Sequence, residues 1–165
     1  MLKEDGLLVF TYHHSRAEGW SSILKALMDA GFGVVAAHPI KSEMSVATPK
    51  TQAKEPIDLD IILVCRKRGG RAVANINGGL WPEVMTVAAH QAARLRASGR
   101  YLSRNDVRII VMAQLLRQLS QMDKSDVSLS ILADQCADID SAIEEVHKST
   151  SEIRGRRGVA GRSVK

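Results

Sequence analysis

Aromatic residues are scarce in this chain of 165 residues, at 4%. So low a content argues against a stacking platform for single-stranded nucleic acid. There are two cysteines, Cys65 and Cys136. They have neither metal-ligand spacing nor the density of a disulfide scaffold, so they read as reduced thiols. No stretch approaches the ~20 apolar residues of a membrane span. The acidic start Met1-Leu2-Lys3-Glu4-Asp5 does not have the basic region of a signal peptide. A cytoplasmic protein is the expectation, with no membrane partner. The four prolines, Pro39, Pro49, Pro56 and Pro82, are never adjacent.

The net charge of +5 is concentrated at one end. Arg154, Arg156, Arg157, Arg162 and Lys165 follow the last acid, Glu152, leaving 18 basic and 18 acidic residues before them. The folded body is therefore neutral. Residues 151–165, rich in Gly, Arg and Ser, are expected to form a disordered basic tail that is solvated or touches nucleic acid weakly.

Hydrophobic content of 45% suffices for a core. The first apolar run, Gly6 to Tyr12, shows no in/out alternation, which predicts a strand covered on both faces within a parallel sheet. Too little chain follows to supply its neighbours, so the sheet is expected to be completed by a missing half, in cis or in trans. A helix should open at Ser15-Arg16-Ala17-Glu18 with capping-box spacing. Trp20, Ile23, Leu24, Leu27 and Met28 share one helical face, and Gly31 stands at the left-handed stop. Gly33 to Ile40 predicts a second strand with Pro39 near its end. A polar loop, residues 41–58, leads to a third strand from Leu59 to Cys65, and with no helix between them this pair should be antiparallel. From Trp81 the pattern turns helical. One helix ends before Gly99, a second is capped by Ser103-Arg104-Asn105-Asp106, and a third spans Leu129 to Val146. Residues 75–150 thus read as a three-helix extension.

The segments Leu2-Lys3-Glu4-Asp5-Gly6-Leu7-Leu8-Val9-Phe10-Thr11-Tyr12-His13-His14, Trp20, Ala30-Gly31-Phe32, His38-Pro39-Ile40-Lys41-Ser42-Glu43 and Asp60-Ile61-Ile62-Leu63-Val64-Cys65-Arg66-Lys67 resemble a group of large prokaryotic DNA methylases. Those enzymes modify exocyclic amino groups of adenine or cytosine. The Tyr101-Leu102-Ser103-Arg104-Asn105-Asp106 stretch is similar to that family's tail. The resemblance implies an α/β fold in which residues 1–67 supply strands five, six and seven of a Rossmann-like methyltransferase sheet, the last inserted between the other two. It also implies S-adenosylmethionine as the cofactor of the intact enzyme and DNA as its partner.

Two family motifs are missing: the glycine-rich turn between first strand and helix that takes the cofactor, and the Asp/Asn-Pro-Pro-Tyr/Phe stretch that holds the target amine against a flipped base. Alone, the chain is expected not to methylate. A remnant or partner subunit without catalysis, and a methyltransferase of another substrate, stand as alternatives.

Tyr12, His13 and His14 fall at the carboxyl end of the first strand, where open α/β sheets bind ligands. Together with Ser42 and Glu43 they are candidates for the rim of a substrate or cofactor pocket; packing and turn roles are the alternative. Lys50, Lys54, Arg66, Lys67, Arg68 and Arg71 are candidate DNA-phosphate contacts, or a solvated face. Trp20 and Trp81 read as core or interface residues. Asp134, Asp138, Asp140, Glu144 and Glu145 read as a solvent-facing acidic face. No metal site is expected from the adjacent histidines.

Overall fold

A computed structural model describes residues 2–42, 57–69, 80–122, 140–141, 143–146 and 148. Strand β1 (Leu7–Tyr12), helix α1 (Ala17–Asp29), strands β2 (Phe32–Lys41) and β3 (Leu59–Lys67), and helices α2 (Leu80–Ala97) and α3 (Arg104–Leu119) follow in that order. The expected start of the third helix and the basic tail lie outside the described residues, although residues 140–141, 143–146 and 148 are helical.

The fold is α/β with one three-stranded sheet, ordered β1-β3-β2. β3 is antiparallel to both neighbours, so β1 and β2 run parallel to each other on either side of it. The antiparallel pairing expected of the second and third strands is present. Covering of β1 on both faces is not. Its residues alternate between exposed and half-buried, and it lies at the edge of the sheet. Leu8, Phe10 and Tyr12 sit beside Cys65, Leu63 and Ile61, on the face that packs into the core. Leu7 and Val9, beside Arg66 and Val64, are 45% and 53% exposed. A continuously apolar strand has been given only one covered face by the described residues.

Helix α1 begins later than its sequence suggests. Arg16, not Ser15, is the N-cap, and no side chain caps it. The capping box expected from Ser15 and Glu18 is replaced by His14, whose Nδ1 accepts the Arg16 amide at 3.0 Å. The apolar face behaves as expected. Trp20, Leu24, Leu27 and Met28 are buried, and Gly31 ends the helix at φ +76°, a conformation that only glycine adopts cheaply.

Helix α3 is buried almost all round. Val107, Ile109, Ile110, Val111, Met112, Ala113, Leu115, Leu116 and Leu119 are all buried, as in a helix enclosed on every side. It contacts α1, α2, β2 and β3, so the helical segment and the strands share one core rather than lying apart. The expected cap is present: Ser103 accepts from the Asp106 amide, and Asp106 accepts from Ser103 in return. The Asp140 and Glu144 side chains do not simply face water; they pair with Arg108 (2.6 Å) and Arg104 (3.1 Å) of α3.

The two edges of the sheet are treated differently. On β2, Ser120 Oγ accepts the Val34 amide (2.8 Å) and Gln121 Nε2 donates to the Val34 carbonyl (2.7 Å). Gln91 and Gln114 both donate to the Ala37 carbonyl, at 2.7 and 3.1 Å. An irregularity between Val34 and Ala36 bends the same strand. These side chains occupy β2's outer edge in place of a further strand. No such cover lies along β1 among the described residues, and its outer edge presents N–H and C=O groups to any incoming strand.

Candidate functional site at the carboxyl edge of the sheet

Because β3 runs against its neighbours, its first residues lie beside the last residues of β1 and β2. Tyr12 is opposite Ile61, and Lys41 is opposite Leu59. One edge therefore collects Tyr12, His13, His14, Ser42, Asp58 and Asp60.

Tyr12 points to the core face. Its ring meets Trp20 edge-on, with centroids 5.1 Å apart and planes at 86°, and burial pushes its phenol pKa upward. Trp20 Nε1 donates to the His14 carbonyl at 2.8 Å, which fixes the turn after β1 to the buried face of α1. The His14 ring lies over Gly19: an added Cβ there would come within 2.2 Å of the ring. Tyr12, His14, Gly19 and Trp20 thus form one packed corner, and their role in this structure is to set the course of the chain.

His13 faces the other way. One residue beyond the Tyr12–Ile61 pair, it emerges on the face shared by Asp60, and its Nδ1 forms a hydrogen bond with Asp60 Oδ1. The imidazole is 46% exposed and the carboxylate 18%. A histidine held by a carboxylate at one nitrogen and open at the other can accept or donate a proton at the free nitrogen.

Ser42 is buried, and its amide donates to the Asp58 carbonyl at 3.0 Å. The Asp58 amide in turn donates to Asp106 Oδ1 at 2.9 Å. Ser42 and Asp58 thereby join the end of β2 to the start of β3 and tie both to the start of α3. Glu43, Lys50, Lys54 and Arg71 lie outside the described residues.

Arg66, Lys67 and Arg68 are not brought to this edge. Arg66 and Lys67 end β3, with Arg68 just after them, beside the beginning of β1 at the opposite end of the sheet, where Leu7 is opposite Arg66. Each is engaged internally: Arg66 with the Asp5 carbonyl (3.3 Å), Lys67 with the Leu2 carbonyl (2.8 Å) and Glu4 (3.1 Å), Arg68 with the Met122 carbonyl (2.5 Å).

The described residues do not fit a cofactor turn. Gly31-Phe32-Gly33 has a Gly-x-Gly spacing, yet it joins a helix to a strand, the reverse of the strand-to-helix order in which helix amides face a ligand. Gly31 and Gly99, the glycines with positive φ among them, end α1 and α2. Among the described residues no three or more His, Cys, Asp or Glu side chains converge as metal ligands, and no helix is long and apolar enough to cross a membrane.

Asp60 and Asp106 carry no site role in the sequence reading, although both stand in segments named there. The signal for Asp60 lay in the β1–β3 register, which fixes who faces whom but is not written in either strand alone. Comparison with family models, curated proteins and solved structures found no match to this chain.

Proposed function

We propose that this chain supplies the last three strands of an S-adenosylmethionine-dependent methyltransferase sheet that acts on amino groups of DNA bases. The observation that carries the reading is the order β1-β3-β2, with a reversed strand between two parallel ones, joined to an edge at β1 that none of the described residues covers. That is the arrangement implied for strands five, seven and six by the residues that resemble DNA methylases. The rest of the sheet belongs along β1, on the side where Leu7 and Val9 are exposed, and not along β2, whose edge is occupied by Ser120, Gln121, Gln91 and Gln114.

The cofactor turn and the Asp-Pro-Pro-Tyr-type stretch come with that other half. Residues of this chain line the carboxyl edge through His13 and Asp60 and brace it through Trp20 and Asp106, and no chemical step is assigned to them through the cofactor. The open edge and face of β1 also favour a second reading, a subunit that docks on a separate methyltransferase half without contributing to chemistry.

The test is methyl transfer from labelled S-adenosylmethionine after co-purification with the polypeptide that supplies the missing motifs. DNA, RNA and small amines serve as acceptors. Labelled N-methyl bases in DNA, absent with either piece alone, are expected. Transfer to RNA alone sinks the DNA reading, and full activity of the other half without this chain leaves only the docking reading.

A further inference from the structure

The His13–Asp60 pair joins two strands across 47 residues of sequence, so it is built by the sheet rather than by local chain geometry. Asp60 is the more enclosed partner and His13 the more exposed one. The contact uses Nδ1, the nitrogen nearer the backbone, which leaves Nε2 at the outer end of the ring. A carboxylate can only accept, so of the two neutral imidazole tautomers it selects the one with its proton on Nδ1. Nε2 then carries a lone pair.

Among the described residues, His14, Trp20 and Asp106 are already committed. His14 Nδ1 takes the Arg16 amide, Trp20 Nε1 gives its proton to the His14 carbonyl, and Asp106 serves Ser103 and Asp58. The edge thus offers a held acceptor with its free end in the open.

We infer that His13 Nε2 is an acceptor for an N–H donor on a bound ligand, with Asp60 as its positioning residue. The ligand is a nucleoside bearing an exocyclic amine; this identification rests on the methyltransferase reading, whereas the acceptor geometry does not. Binding moves no bond: the amine hydrogen stays on the ligand nitrogen and is shared with the Nε2 lone pair.

The experiment is long-range proton–nitrogen NMR on the full chain at alkaline pH, followed as a pH series so that the neutral form of the ring is read directly from its nitrogen shifts. His13 is assigned by loss of its signals in His13→Gln. Adenosine is the probe, and purine riboside, identical but without the amine, is the control. The expected result is an Nδ1–H tautomer whose Nε2 resonance moves with adenosine and not with purine riboside. In Asp60→Asn the tautomer preference should be lost and adenosine should bind about tenfold more weakly, the worth of one oriented hydrogen bond. A proton on Nε2 in the unmodified chain overturns the inference. So does an equal response to the two nucleosides, or none to either. Failure of the methyltransferase reading is registered separately, by absent methyl transfer to DNA in the reconstituted assay.

Discussion

Replacing Gly19 by alanine ought to stabilise a helix, and here it should do the opposite. Gly19 lies in the first turn of α1, where Gly→Ala normally gains up to about 1 kcal/mol through backbone entropy and helix propensity. In this structure an added Cβ falls 2.2 Å from His14 Cγ, 2.4 Å from Nδ1 and 2.6 Å from Cδ2. These atoms are at the root of the ring, so a change of rotamer at its far end cannot relieve the overlap. The ring must leave, taking with it the hydrogen bond to the Arg16 amide and loosening the turn that holds Trp20 Nε1. Overpacking of this kind costs about 1–3 kcal/mol, and a lost hydrogen bond about 1 kcal/mol more. Set against the helix gain, Gly19→Ala should destabilise by roughly 1–3 kcal/mol.

The assay is urea unfolding followed by the fluorescence of Trp20 and Trp81. A double-mutant cycle with His14→Ala isolates the cause. With the ring removed the alanine should recover its ordinary helix gain, and the coupling between the two sites should fall at about 1–3 kcal/mol. A Gly19→Ala chain more stable than the parent while His14 is intact would refute the packing described for this corner.

Three further perturbations have definite outcomes. Asp106→Ala removes the acceptor of the Ser103 and Asp58 amides at a buried site, and thermal unfolding should show a loss of about 2–4 kcal/mol, more than a surface cap alone. Burial pushes the Cys65 thiol from 9.0 to about 11. The unfolded chain therefore releases its proton first, so this group's contribution is complete below about pH 9 and is lost as pH rises from 9 to 11; in a Cys136→Ser background a thiol reagent near neutral pH should react only on unfolding. Val9→Lys places a charge on the exposed face of β1; urea unfolding of the chain should shift by less than about 1 kcal/mol, while association with a partner, followed by light scattering, should be abolished.

The sequence was most informative where structure is local. The amphipathic face of α1, the glycine that ends it and the capping box of α3 each depend on residues a few positions apart, and each is present. Ser15-Arg16-Ala17-Glu18 misled because the helix starts one residue later, with Arg16 as N-cap and its amide taken by the His14 ring, so Glu18 is no longer at the position that reaches back to the N-cap amide. The burial of α3 on all sides was hidden because its polar positions, among them Gln114 and Gln118, are buried with its apolar ones; Gln114 reaches the carbonyl of Ala37, 77 residues away. The same limit applies to the site. Tyr12-His13-His14 was visible at a strand end, but that His13 and Asp60 meet while His14 and Tyr12 turn inward is decided by the pleat and the register with β3.

Hydrogen exchange of the Leu7–Tyr12 segment, with and without the polypeptide bearing the cofactor turn and the Asp-Pro-Pro-Tyr-type stretch, bears most directly on whether the sheet continues past β1. Exchange there should slow by at least about tenfold in the mixture, as outer amides gain a strand partner, while that of Phe32–Lys41 stays unchanged. Unaltered exchange in β1, or protection that appears along β2 instead, would contradict the proposal that β1 is where the rest of a methyltransferase sheet attaches.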